Sequence, residues 1–137
     1  MPLTVRENVN NLIRLVEQGK FLEAIQEFYA QDASMQENNE PPRQGLAKLL
    51  EHERQVLTRF KEMHVSRAES VLVDGNLAAI NWTFEYTVPD GRRFRLEEVA
   101  FQVWQDGKII RERFYYDPGQ RSVEIEPEAQ LASAEAK

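Results

Sequence analysis

Three helices in the first half of the chain and four long antiparallel strands in the second predict an α+β domain with its helices packed on one face of a sheet. Two patterns carry this. Before Lys61 the apolar residues recur three times at helical spacing. From Met63 onward they alternate, and turn signals at Asp74-Gly75-Asn76, Pro89-Asp90-Gly91 and Asp106-Gly107 interrupt the alternation.

The first helix opens at Thr4, where Glu7 three residues on completes a capping box, and Val5, Val9, Leu12, Ile13 and Val16 follow on one face. Gly19 stops it. A second helix runs from Lys20 to about Ala30 with Phe21, Ile25, Phe28 and Tyr29 as its apolar residues. Ala33 to Asn39 reads as a short extended piece, and Pro41-Pro42 excludes helix beyond it. The third helix runs from about Gly45 to Lys61. At about 100° per residue, Leu46, Leu49, Leu50, Val56, Leu57 and Phe60 fill an arc of about 120°, and Glu53 falls near its middle. A carboxylate there must be paired, hydrated or protonated.

The strands follow as Met63–Val73, Leu77–Val88 and the hairpin Phe94–Pro118. On Leu77–Val88, Ala78, Ile80, Trp82, Phe84 and Tyr86 share a face. In the hairpin the turn is Gln105-Asp106-Gly107-Lys108. Val99, Phe101 and Val103 share a face with Glu97 on the first strand, and Ile110, Phe114 and Tyr116 share one with Glu112 on the second. Arg111 and Arg113 point away from the latter face, which assigns it to the interior. Residues 1–118 are thus expected to form the domain, with 119–137 an acidic, alanine-rich flexible tail.

Composition excludes several function classes. The 137 residues suffice for one core, and 42% hydrophobic with 29% charged residues is the composition of a soluble globular protein. No apolar run approaches the roughly 18 residues of a membrane span, and no signal-peptide pattern opens the chain. The chain has no cysteine, hence no disulfide framework and no thiol nucleophile, in keeping with a cytoplasmic location. A net charge of −6 argues against binding nucleic acid through its phosphates. His52 and His64 are the only histidines, without HxH, HExxH or EF-hand spacing, so no metal is expected.

The order of landmarks resembles the nuclear transport factor 2-like superfamily, in its ketosteroid isomerase and SnoaL-type polyketide cyclase branches. The residues that carry the resemblance are Phe28-Tyr29-Ala30, Asp32-Ala33, Glu37-Asn38-Asn39, Arg43 with Gly45, Asp106-Gly107-Lys108-Ile109 and Tyr115-Tyr116-Asp117. It implies a cone-shaped, strongly curved antiparallel sheet closed by the helices around a pocket, a cystatin-like α+β roll, and a homodimer formed through the outer sheet face. It also implies roles. Glu37 stands where the isomerase has its aspartate base, Glu97 where it has a protonated aspartic acid, and Glu53 where a tyrosine of the third helix faces the pocket. Glu112 and Tyr116 match lining positions. Leu12 stands where the isomerase keeps its main oxyanion-donating tyrosine, so steroid isomerisation is not implied.

The residues themselves point to acid/base chemistry without a cofactor. Glu37, Glu53, Glu97 and Glu112 are aimed at one interior, where like charges so close cannot all ionise. Glu37, Glu97 and Glu53 are the catalytic candidates. Asn38, Trp82, Phe84, Phe101, Glu112 and Tyr116 are the ligand-binding candidates for a small hydrophobic carbonyl compound. The competing reading is a non-catalytic ligand-binding or dimerisation module. Cavity size separates the two: several hundred Å3 of open space favours the enzyme, and a cavity filled by Trp82, Phe101 and Tyr116 favours the module. The dimer is expected to use a face bearing Ala100, Gln102, Trp104, Arg111, Arg113 and Tyr115, with Trp104 and Tyr115 as anchors.

Overall fold

The computed structural model describes residues 2–125. Helix α1 (Val5–Glu17) is capped as the sequence predicts: Glu7 N–H donates to Thr4 Oγ1 and Thr4 N–H to Glu7 Oε1, both at 3.1 Å. Helix α2 (Phe21–Phe28) is shorter than expected, because Tyr29 already has extended backbone and opens strand β1 (Tyr29–Glu37). A two-residue strand β2 (Arg43–Gln44) precedes α3 (Leu46–Leu57). The long strands are β3 (Glu62–Asp74), β4 (Leu77–Thr87) and β5 (Arg93–Gln105), followed by β6 (Lys108–Tyr115).

Six strands run through one curved, unclosed sheet in the order β2-β1-β6-β5-β4-β3, with β1 parallel to β6 and the other pairs antiparallel, and a seventh short strand adds to β5. Register shifts in β3 opposite β4, and again between β5 and β6, insert extra residues that bend the strands. The helices lie against the concave face. Val9, Leu12, Ile13 and Val16 of α1, Ile25 and Phe28 of α2 and Leu49 of α3 pack there with Ile80, Trp82, Trp104 and Ile109 of the sheet.

The hairpin β5–β6 departs from the sequence reading in one respect that matters. Its two-residue turn is as predicted, with Asp106 (φ 52°) and Gly107 (φ 78°) both left-handed, and Gln105 pairs with Lys108. Trp104 then pairs with Ile109, but Val103 pairs with Arg111, so Ile110 is an extra residue on β6. This bulge reverses the parity of the two strands. Glu112 and Phe114 still face inward, yet the β5 residues beside them are Gln102 and Ala100, not Phe101 and Val99. The β4 pairing agrees, since Ile80 lies opposite Ala100 and Trp82 opposite Glu98.

Three expectations are corrected on this ground. Val99 and Phe101, both 39% exposed, lie on the outer face, and so does Glu97. Ala100, Gln102 and Trp104 are buried, so Trp104 anchors the core and not an interface. Its ring meets Phe28 edge-on at 6.1 Å, and its indole N–H donates to Gln102 Oε1 at 3.0 Å. Ile109, not Ile110, is the fully buried isoleucine of β6.

The chain after β6 is also more ordered than a tail. Pro118–Ser122 forms a 3-10 helix whose first turn is capped by Asp117, and β7 (Glu124–Ile125) pairs with the start of β5. The rest of the predicted tail, residues 126–137, lies outside the described residues.

The inversion of β5 makes a stability prediction. Trp104→Ala should cost about 3–5 kcal/mol in chemical denaturation, as core tryptophan truncations do. Phe101→Ala should move the stability of the dilute chain by about 1 kcal/mol or less. The reverse ranking would mean that the face assignment is wrong.

Candidate functional site

A cavity of about 650 Å3 lies between the concave face of the sheet and the three helices. That is the size of a small-molecule site. Its walls are apolar and aromatic: Trp82 and Phe84 stack at 5.6 Å, and Tyr86 lies between Phe60 at 4.6 Å and Phe94 at 6.0 Å. Trp82 lines this space without filling it, and Phe101 is outside it.

Four glutamates reach the cavity, Glu37 from β1, Glu53 from α3, Glu98 from β5 and Glu112 from β6, and Asp90 of the β4–β5 turn is a fifth carboxyl group on its lining. Glu98 takes the place expected of Glu97, as the face reversal requires. The signal for it was present in the β4–β5 connection. Pairing Thr87 with Arg93 across that turn puts the even-numbered residues of both strands on one face.

The four environments differ. Burial alone would push Glu37 up, but Tyr116 Oη donates to its Oε1 at 2.9 Å and Arg43 to its Oε2 at 3.0 Å. With the Arg121 guanidinium 3.6 Å away, these hold the carboxyl below its ordinary range. Glu112 is 2% exposed and takes hydrogen bonds from Tyr29 Oη and, at 2.7 Å, from Gln102 Nε2. Desolvation outweighs both donors and raises it to about 7. Glu98 makes no side-chain hydrogen bond or ion pair to another described residue, and burial followed by repulsion from Glu112 and Glu37 raises it to about 8. Glu53 is also raised, by burial first, with Arg43 opposing and Glu37 adding. So Glu37 is an ionised carboxylate at neutral pH, and Glu98 across from it is largely a neutral acid. Two strand spacings, about 10 Å between backbones, separate their strands across β6.

The other expected residues divide. Trp82, Phe84 and Glu112 line the cavity. Asn38 does not: its side-chain oxygen accepts from Tyr116 N–H at 3.0 Å, its carbonyl from Arg113 Nε at 2.9 Å, and its N–H donates to Phe114 O at 2.8 Å. It locks the end of β1 onto β6 and has a left-handed φ of 50°. Tyr116 is not on the wall and acts through Glu37. His52 lines the cavity and is pushed down by burial and by Arg43, so it is neutral at pH 7. His64 is held by Thr87 Oγ1 at 2.6 Å. Sequence reasoning missed Tyr29, Gln102, Arg43, Arg59, Arg92 and Arg121. The first two were hidden by the β5 parity and the early start of β1. The arginines are ordinary surface residues until the fold brings them to one cavity. Among the described residues no three His, Asp or Glu side chains converge as a metal set.

This architecture, a helix-covered curved sheet around an apolar cavity with carboxyl groups, defines a class of small-pocket α+β proteins. The chain belongs to the SnoaL-like domain family, which it matches over residues 9–112. Solved structures agree. A candidate SnoaL-like polyketide cyclase (carbohydrate phosphatase) from Mesorhizobium loti is 28% identical, with a TM-score of 0.72 over 83% of this chain and 100% of that one. A nuclear transport factor 2-like protein from Burkholderia pseudomallei has a TM-score of 0.73 at 15% identity over 85% and 92% of the two chains. TerC, crystallised with polyporic acid, has a TM-score of 0.71 at 17% identity over 96% and 95%. No curated protein matches the sequence.

The electrostatics predict a pH dependence with a definite sign. For Glu53 and Glu98 the folded pKa lies above the ordinary value of 4.5. The folded state therefore holds the proton more tightly, and this stabilisation is complete below 4.5 and is lost as pH rises, for Glu98 through about 8. Glu98→Gln should stabilise the protein by about 2 kcal/mol at pH 8 and by little at pH 5, cavity water limiting the effect. Glu53→Gln should behave alike but more weakly. Urea denaturation at both pH values checks this, and a clear loss of stability in either variant at pH 8 would refute the raised values.

Proposed function

We propose that this SnoaL-like protein is a cofactor-free isomerase or cyclase that moves a proton beside a carbonyl group of a small hydrophobic compound. The observation that carries the reading is the split between Glu37 and Glu98 on one cavity wall. Glu37, ionised at neutral pH, serves as base. Glu98, neutral at the same pH, donates a hydrogen bond to the carbonyl oxygen as charge develops on it. It takes the part that the family pattern gave to Glu97. The pattern of an ionised base opposite a carboxylic acid kept neutral is that of ketosteroid isomerase, a worked case of pKa tuning. Because the Tyr116 hydroxyl and two arginines hold Glu37 down, it is a weak base. It suits a C–H made acidic by conjugation or by two flanking carbonyls, which is consistent with the cyclase descriptions of its structural neighbours. Glu53 reinforces the acid side, and Glu112 with Tyr29 and Gln102 fixes the cavity floor.

The test is proton exchange. With 2-tetralone in D2O, the wild-type chain should accelerate deuterium incorporation at C1, followed by NMR. Glu37→Gln and Glu98→Gln should each lower that rate by about 100-fold, the lower range for a general acid or base. Ligand binding without acceleration by the wild type would favour the non-catalytic reading.

We further propose a homodimer through the outer sheet face. Val99, Phe101 and Tyr115 are exposed there, Tyr115 beneath the Arg113 guanidinium at 4.8 Å, a combination of aromatic and arginine that interfaces favour. Sedimentation velocity should give a dimer at micromolar concentration and a monomer for Phe101→Asp; a wild-type monomer would remove the proposal.

A further inference from the structure

The protein carries a net charge of −6, yet four arginines line the cavity, Arg43, Arg59, Arg92 and Arg121, and the last three are exposed, which puts them at its solvent side. They come from four separate parts of the chain. Arg43 is on β2, Arg59 in the α3–β3 connection, Arg92 in the β4–β5 turn and Arg121 in the 3-10 helix. The Lys61 N–H donates to Thr87 O at 2.7 Å, which ties the second of these segments to the end of β4 beside the third. Three of the arginines are engaged: Arg43 and Arg121 with Glu37, and Arg92 with Asp90 at 2.8 Å. Arg59 makes no ion pair among the described residues, and Arg43 Nε is buried without a hydrogen-bond partner.

Four guanidinium groups of the lining thus face two carboxylates held ionised, Glu37 and Asp90, while the remaining three carboxyl groups lie deeper and are raised toward neutrality. The field at the mouth is positive and the walls behind it are aromatic. A cavity entrance of one sign with low-dielectric walls focuses the field on an entering ion of the other sign. Guanidinium also matches a carboxylate geometrically, two N–H donors to two oxygens.

We propose that the ligand of this cavity is an amphipathic organic carboxylate, its apolar ring system against Trp82, Phe84 and Phe94 and its anionic end at the mouth on Arg59, with Arg43 beside it. This rests on the cavity being the ligand site, as in the function proposed above, and specifies the chemical class. Arg59 is then the specificity-determining residue. It distinguishes the acid from its neutral isostere without touching the reacting carbon.

Isothermal titration with 2-naphthylacetate and 2-naphthylacetamide tests this. The two share ring and length and differ in charge. In the wild type the acid should bind about tenfold or more tighter than the amide, the worth of one charge-assisted contact. Arg59→Gln should reduce that ratio to about threefold or less, and Arg59→Lys should recover part of it. Arg54→Gln, an exposed change on α3 away from the cavity wall, should leave the ratio intact. Equal binding of acid and amide, a preference that survives Arg59→Gln, or no binding of either compound would each overturn the proposal. A chain that prefers the acid through Arg59 but does not exchange 2-tetralone protons keeps this inference and loses the catalytic one.

Discussion

One extra residue, Ile110, decides which side chains this protein can use. A two-residue turn at Asp106-Gly107 pairs odd positions of one strand with even positions of the next. Continued without interruption, that register would bring Phe101 and Glu112 to one face. The bulge shifts β6 by one residue, so Gln102 meets Glu112 and Ala100 meets Phe114. The hydrogen-bonded series Trp104, Gln102, Glu112 and Tyr29 depends on that shift. The same shift turns Val99 and Phe101 out to the surface, which makes the outer face more apolar than its neighbouring arginines suggest.

Within the cavity, four glutamates of identical intrinsic acidity are sorted by their surroundings. Glu37 lies where β1, β2 and the 3-10 helix converge, and each of the last two brings it an arginine. Cations and donors together outweigh its desolvation. Glu98 has the burial without the partners, and its proton stays on. Glu112 is intermediate, since its two donors recover part of what burial removes. Proton transfer needs groups of unequal acidity within reach of one ligand, and this site reaches that state with a single residue type. The arginines that hold Glu37 ionised also give the mouth its positive field. Acid/base poise and ligand charge preference therefore share one set of side chains.

Much of the fold was legible in the sequence because its signals are local. The Thr4–Glu7 box, the Gly19 stop, the periodicity of α1 and α3 and the turns at Gly75, Gly91 and Gly107 all act over a few residues, and each element formed within a few residues of where these signals set it. The inward face of β4 and the inward tilt of Glu53 follow from simple periodicity in the same way. Local signals also fixed Glu37 and Glu112 as cavity residues, since each sits on a strand with one clearly polar side.

What only the tertiary structure decided is everything that depends on pairing between distant segments. Both faces of β5 carry apolar residues, Val99, Phe101 and Val103 on one and Phe94, Leu96, Ala100 and Trp104 on the other, so alternation could not choose between them. The bulge at Ile110 has no strong local signature, and it put Gln102 rather than Phe101 beside Glu112. Arg121 lies in a stretch whose composition reads as tail, yet its guanidinium reaches Glu37 and Tyr116. Periodicity reports which residues share a face of one element. Which face becomes the interior, and which charges meet there, is set by contacts between strands far apart in the chain, and those exist only once the sheet has formed.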